Sequence, residues 1–357
     1  MLERIVQQFF PDAAIAAIEP FGNGHINTTY KLDLKGNTDS FILQLINTDV
    51  FKDPQGIADT HTRLQEAIFS GDQPLGIAGL IPTAKGEKLY TDPEGGVWRM
   101  TTFIKDSYTI EVVDEAWQAM EAGNGFGWFA KACNELDAKT FKESIKDFHR
   151  LSFRIWQLDE AIRENRAGRL DGIIDVVNFY KDRQETLSQI ERMVDEGKIP
   201  LRVVHNDTKI NNILFKGEKA AAVIDLDTVG PGILYYDYGD ALRTSANKAA
   251  EDEQDLDKVA FNMDAFKAFT KGYMAQVKPI LSEEEANYFY LAPFLMTFIM
   301  GIRFLADYLN GDVYYKTAYI KHNIVRSSVQ MKLIESMEAH EQEMKRIIEE
   351  ALNPVSV

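Results

Sequence analysis

Residues 202–227 constrain this chain more than any other stretch. Val203 and Val204 are β-branched and apolar, and they lead into a polar run of His205, Asn206, Asp207, Thr208 and Lys209. Asn211 and Asn212 follow, then the apolar Ile213, Leu214 and Phe215. Residues 216–219, Lys-Gly-Glu-Lys, have the composition of a turn, and residues 221–226 form a second apolar run that carries Asp225, with Asp227 two places on. Two short apolar runs around a glycine turn read as a β-hairpin. A hairpin here brings Asn212 and Asp225 to the same end of a small sheet, next to the loop that carries Asp207.

The frame is His-x-Asp, an Asn five residues after the Asp, and a further Asp at the end of the second strand. It suits phosphoryl transfer, which asks for an aligned nucleophile, charge neutralisation on phosphate and exclusion of water. Magnesium takes hard oxygen ligands and is usually held by few protein groups plus phosphate. Asn212 and Asp225 are the candidate metal ligands. Asp207 is the candidate base that orients the acceptor hydroxyl, and loss of such a base typically costs about 10²–10⁴-fold in rate. His-x-Asp alone also occurs in turns capped by Asp, but three polar residues at set offsets, with strands between them, favour the chemistry. The offset selects Asn212 over its neighbour Asn211. His205 reads as a loop brace that bonds backbone. Lys209 is a candidate cation for the transferring phosphate, the alternative being a solvated loop lysine.

With 357 residues the chain is long enough for two lobes with separate cores. Its net charge of −16, from 39 basic and 55 acidic residues, argues against non-specific nucleic-acid binding. Acidic runs such as residues 251–255 and 283–285 read as solvated faces. The one cysteine, Cys133, leaves no intrachain disulfide, and with no signal-peptide pattern at the N-terminus a cytoplasmic protein is expected. Cys133 itself reads as a small buried apolar residue. The most apolar stretch, residues 288–302, contains Pro293 and falls short of the ~18 residues of a membrane span, so a buried helix is expected there and no membrane partner.

The periodicity predicts an α+β protein. Residues 1–105 read as a small antiparallel sheet with one helix: an opening helix (2–10), strands at 14–21, 28–34, 41–46, 87–90 and 97–104, and a helix at 54–70. Residues 106–357 read as mainly helical apart from the hairpin, with helices at 111–137 (broken at Gly123-Asn124-Gly125), 173–196, 263–277, 283–309 and 325–352. Gly22 and Gly24 lie in a turn between two strands. Such a turn can be a plain β-turn, or it can cover nucleotide phosphates, where glycine lets backbone N–H groups come close.

Several stretches carry a resemblance: residues 24–30 (Gly-His-Ile-Asn-Thr-Thr-Tyr), 41–44 (Phe-Ile-Leu-Gln), the loop 205–212, residues 224–228 (Ile-Asp-Leu-Asp-Thr), 237–240 (Asp-Tyr-Gly-Asp), and 300–312. The chain resembles the aminoglycoside phosphotransferase and choline kinase superfamily over nearly its whole length. More closely it is similar to the bacterial N-acetylhexosamine 1-kinases. The resemblance implies a bilobal protein-kinase-like fold, with residues 1–105 as nucleotide-binding lobe and 106–357 as catalytic and substrate-binding lobe. It implies ATP and Mg²⁺, and transfer of the γ-phosphoryl group to the anomeric hydroxyl of a small-molecule sugar. Where this superfamily usually has a strand lysine for the α- and β-phosphates, the chain has neutral Gln44, so that Lys209, Arg99, Lys105 or the metal must supply the charge. His25 and Asn27 become candidate acceptor contacts. Arg303, a charge on an apolar helix, becomes a substrate residue, with an ion pair to Asp307 as the alternative. Tyr314, Tyr315 and Tyr319 are read either as sugar contacts or as core, and Asp227 and Asp240 either as braces near the metal or as caps. Two rivals remain: a related kinase acting on an aminoglycoside, choline or homoserine, and a non-catalytic pseudokinase. The Arg303 region weighs against amine-bearing acceptors, and the complete Asp207, Asn212 and Asp225 set weighs against the pseudokinase.

Overall fold

The computed structural model describes residues 1–22, 26–68 and 75–353. Gly24 and His25, two of the candidate contacts, lie outside the described residues. The N-terminal part holds α1 (Leu2–Phe9), β1 (Ile15–Pro20), β2 (Thr28–Leu34), β3 (Ser40–Ile46), α2 (Pro54–Ile68), β4 (Gly76–Ile77), β5 (Leu80–Ile81), β6 (Tyr90–Thr91) and β7 (Val97–Thr102). Its sheet runs β1-β2-β3-β7-β5 with β6 also on β7, and every pairing in it is antiparallel. Alternate residues of the central strands (Leu32 and Leu34, Phe41 and Leu43, Trp98 and Met100) turn to one face. Ile5, Val6 and Phe9 of amphipathic α1 close the core over that face. The register sets Gln44 opposite Thr29 on one side and Arg99 on the other.

From residue 116 the chain is mainly helical: α3 (Ala116–Ala132), α4 (Leu151–Glu164), α5 (Ile174–Asp195), α6 (Leu234–Ser245), α7 (Met263–Val277), α8 (Glu283–Tyr288), α9 (Ala292–Asn310), α10 (His322–Ala339) and α11 (Glu341–Leu352). Four short strands sit among them: β8 (Arg202–Val204), β9 (Ile213–Lys216), β10 (Lys219–Val223) and β11 (Gly230–Gly232). β9 and β10 form the expected hairpin, and β8 pairs with β11. The two-residue β4 adds to β10 in parallel, a tie between the N-terminal part and the hairpin that the hydrophobic pattern does not disclose.

Several expected helices are cut differently. α3 runs through Gly123-Asn124-Gly125 unbroken. A Cβ on Gly123 would meet the Phe269 carbonyl oxygen at 2.3 Å, and one on Gly272 of α7 would meet that of Met120 at 2.1 Å. These glycines let two helix backbones touch, so their role is packing. The run expected as one helix at 283–309 splits into α8, a 3₁₀ turn at Phe289–Leu291 and α9, with Pro293 in the first turn of α9, where its missing N–H costs nothing. The run at 325–352 divides at His340 into α10 and α11, and α4 and α6 were not anticipated. Among the described residues one helical stretch, Glu283–Asn310, is long and apolar enough to cross a membrane, and 83% of its most apolar window is buried inside the protein, as in a core helix.

Candidate active site

Buried Val203 and Val204 deliver the chain from β8 into a loop that its neighbours hold tightly. Asp237, fully buried in the first turn of α6, accepts from the backbone N–H of His205 and of Asn206, each at 2.8 Å. Thr208 donates its hydroxyl to the Asp237 carbonyl at 2.6 Å. Asn206 has φ +64°, a left-handed conformation that Asn tolerates better than most residues, and its amide donates to the Thr228 carbonyl. His205 donates from Nε2 to the Ile224 carbonyl at 2.9 Å, and its Nδ1 faces the Asp207 N–H at 3.3 Å. Its ring meets Phe126 and Phe129 edge-on, so this histidine spans loop, hairpin and core. His149, just before α4, donates to the Asn206 carbonyl at 2.8 Å. Sequence reasoning missed it.

The chemistry-bearing groups project from this frame. Asp207 is partly exposed and lies 3.1 Å from the Lys209 ammonium. Asp207 and then Asp240 raise the Lys209 pKa against the opposing effect of burial. Asn212 donates its amide to the Asp207 carbonyl at 2.8 Å, which leaves the amide oxygen as an acceptor. The Ile224 N–H bonds the Asn212 carbonyl at 2.9 Å and so sets Asn212 beside the end of the hairpin, where Asp225 turns out with φ +59°. The Asp225 side chain meets solvent yet sits amid much protein. That crowding, and then the negative charges of Asp227 and Asp207, push its carboxyl up to about 7, with Arg99 and Lys209 opposing. Arg99 and Lys209 offset the rise only in part, and further positive charge close to this carboxylate would favour its ionised form. Among the described residues no group of three or more His, Cys, Asp and Glu is placed to hold a metal. The donor set here is one amide oxygen and one carboxylate, which fits a hard cation that keeps phosphate and water as its other ligands.

The N-terminal wall departs from expectation. Gln44 is not left free for a phosphate: its Nε2 donates to Thr29 Oγ1 at 3.0 Å and its Oε1 accepts from Arg99 Nε at 2.9 Å. Arg99, 5% exposed, grips both oxygens of Asp227 with its two terminal nitrogens. Asn27 does not project toward an acceptor either; its amide donates to Asp227 Oδ2 at 2.8 Å and accepts from the Asn47 N–H at 3.0 Å. Lys105 bonds Thr38 and pairs with Asp39, in the connection between β2 and β3. Gly22 has φ +76° with open space around it, as a turn glycine should.

On the other side of the loop, Arg303 lies over the Phe148 ring at 5.0 Å and the Tyr315 ring at 5.7 Å. Among the described residues it has no carboxylate partner within ion-pair distance. Asp307, its proposed partner, accepts instead from the backbone N–H groups of Val313, Tyr314 and Tyr315 and from the Asn323 amide. Arg154 donates to the Phe148 carbonyl and to Gln157, and burial, then Arg303, bring its pKa down to about 10. Tyr315 is half-buried, its ring packed on Phe304 and Tyr314 and its hydroxyl buried and unpartnered, whereas Tyr314 is 64% exposed. Tyr319 stacks on His322. Asp240 pairs with Arg243, and Arg243 reaches on to Glu251, so the acidic run at 251–255 is not wholly a solvated face. Asp252 lies 3.2 Å from His322 in the same way.

A sheet-bearing N-terminal part, a helical remainder, and a braced loop with an acid, an amide and a strand-end carboxylate between them define a kinase-like phosphotransferase. The family model described as "Phosphotransferase enzyme family" matches residues 17–269. The chain belongs to that family and is a phosphotransferase. Its fold is similar to that of a microcompartment-associated aminopropanol kinase (16% identity, TM-score 0.64, covering 95% of this chain and 98% of the other). It is also similar to an aminoglycoside phosphotransferase from Alicyclobacillus acidocaldarius (13%, TM-score 0.67, 97% and 96%). A third likeness is to choline kinase from Cryptosporidium parvum (12%, TM-score 0.56, 95% and 91%). At these identities the likeness is one of fold.

Proposed function

We propose that this phosphotransferase is ATP-dependent, acts on an alcohol, and transfers the γ-phosphoryl group to the anomeric hydroxyl of an N-acetylhexosamine, giving the sugar 1-phosphate. Residues 1–105 form the nucleotide lobe and 106–357 the catalytic and sugar lobe in this reading, and ATP as donor suits a cytoplasmic setting. The observation that carries the reaction is the convergence of Asp207, Asn212 and Asp225 on one braced loop and hairpin. Asp207 accepts the hydrogen bond of the acceptor hydroxyl and orients its oxygen. Lys209, beside it, offers charge to the transferring phosphate. The amide oxygen of Asn212 and the carboxylate of Asp225 are the groups that would hold Mg²⁺, which when bound neutralises phosphate charge. His205 and Asp237 act through the loop by fixing its backbone.

A neutral sugar is favoured by the wall around Arg303. Solved structures of similar fold include kinases named for aminopropanol, choline and ethanolamine. An amine-bearing acceptor carries positive charge. Among the described residues Arg303 has no carboxylate within ion-pair distance, and it lies close to Arg154, so a second cation there would be repelled. Hydroxyl and amide oxygens of a sugar can accept from Arg303, and exposed Tyr314 offers a ring and a hydroxyl. The test is ADP release with Mg·ATP against a panel of acceptors. N-acetylglucosamine or N-acetylgalactosamine should turn over far faster than choline, ethanolamine or an aminoglycoside. Turnover confined to the amines would replace the sugar reading, and ADP release with none of them would overturn it and point to an acceptor outside both classes.

A further inference from the structure

Asp225 and Asp227 stand two residues apart and invite a reading as paired metal carboxylates, but the fold treats them oppositely. Asp225 is open to solvent at the hairpin's end. Asp227 is 1% exposed, and both its oxygens are committed to groups from the N-terminal sheet. Arg99 of β7 holds it from two nitrogens, and Asn27, ahead of β2, donates to Oδ2 at 2.8 Å. Arg99 Nε is in turn fixed by Gln44 of β3, and Gln44 by Thr29 of β2. One carboxylate, in the turn right after the candidate metal ligand, is thus held directly by Arg99 and Asn27, and Arg99 is backed by β3 and β2 through Gln44 and Thr29.

We propose that Asp227 is a strut between the N-terminal sheet and the catalytic loop, a positioning residue and not a metal ligand. It sets how closely the sheet closes over Asp225 and thereby the affinity for the metal–nucleotide complex. This rests on the reading that nucleotide and metal occupy this cleft. The strut explains why Gln44 is neutral: a lysine there would put a second cation beside Arg99, whose ion-pair partner Asp227 is already used. A buried two-pronged arginine–carboxylate pair has a distinctive mutational signature. Removing one partner strands a buried charge, whereas removing both leaves none.

The test is binding of Mn²⁺·ADP, followed by the electron paramagnetic resonance of Mn²⁺, which needs no acceptor. Asp227→Asn and Arg99→Gln should each weaken binding by about tenfold or more, and the double variant should lose much less than the product of the two. Asn27→Ala, which keeps the ion pair and is the variant safest for folding, should give a smaller loss of the same kind. Asp225→Asn, by contrast, should abolish Mn²⁺ binding with no recovery from a change at Arg99. The proposal is overturned if Asp227→Asn abolishes Mn²⁺ binding while Arg99→Gln leaves it unchanged, the pattern of a metal ligand. A wild-type protein that ignores Mn²⁺·ADP would refute the cleft reading, and the strut would then be decided by small-angle scattering. A larger radius of gyration for Arg99→Gln and Asp227→Asn than for wild type supports it; equal radii overturn it.

Discussion

Asp207 owes its position to side chains that bond the backbone of its loop. Asp237 absorbs two backbone N–H groups and His149 absorbs the Asn206 carbonyl, so the loop has little freedom left. Asp207→Asn keeps that frame and should lower turnover by about 10²–10⁴-fold with ADP binding retained, read as a fall in kcat at unchanged nucleotide dissociation constant. His149 and His61 are held neutral by burial, each with its pKa brought from 6.5 to about 4. The unfolded chain takes up those protons below pH 6.5 and the native protein does not until about pH 4, so stability is full above 6.5 and declines as pH falls through that window. Each histidine can account for up to about 3 kcal/mol. His149→Gln, which keeps a donor for the Asn206 carbonyl, should flatten the slope of Tm against pH between 4 and 6.5; an unchanged slope would remove His149 as a titrating site. Asp207, Asn212 and Asp225 were legible in the sequence because the hairpin fixes their offsets locally. His149 was not, because its contact spans 57 residues and an isolated histidine carries no local pattern.

At the scale of elements, α3 and α7 approach through Gly123, Gly127 and Gly272. Helix propensity alone says that Gly272→Ala should stabilise by about 1 kcal/mol. The close approach predicts the opposite sign, because the added carbon has only the Met120 carbonyl and the Asn124 N–H to meet. A loss of about 1–3 kcal/mol in denaturant unfolding is expected. The sequence offered glycine as a helix breaker, and only the partner helix shows it to be a contact. Elsewhere the elements were readable where periodicity is strong: α7 falls at the expected residues, and β2 and β3 lie within one residue of expectation. The breaks at 289–291 and 340 were not, since apolar spacing runs on through both. Asp307 shows the same limit. It reads as a helical partner for Arg303, whereas it caps the segment carrying Tyr314 and Tyr315. Asp307→Ala should therefore raise KM for the acceptor while KM for ATP holds; a rise in both would mean the segment supports the whole fold.

For the whole molecule, the sheet-then-helices order was visible in the switch from alternating to helical spacing, but the ties between the two parts were not. β4 pairs with the hairpin that follows the Asp207 loop, and Arg99 with Asp227 across 128 residues, both contacts between segments distant in sequence. The Arg99 tie joins the N-terminal sheet, and the β4 tie the segment between α2 and β5, to the hairpin region, so in the proposed function nucleotide binding and loop geometry are expected to change together. In the proposed function the acceptor is chosen at this scale too, by an assembled wall of Arg303, Arg154, Phe148 and Tyr315 drawn from separate elements. The most direct measurement is the ³¹P and ¹H nuclear magnetic resonance of the product formed from Mg·ATP and N-acetylglucosamine or N-acetylgalactosamine. A phosphorus coupled to the anomeric proton of the sugar is the expected result. A phosphate on any other oxygen, or ATP left intact beside both sugars, would contradict it.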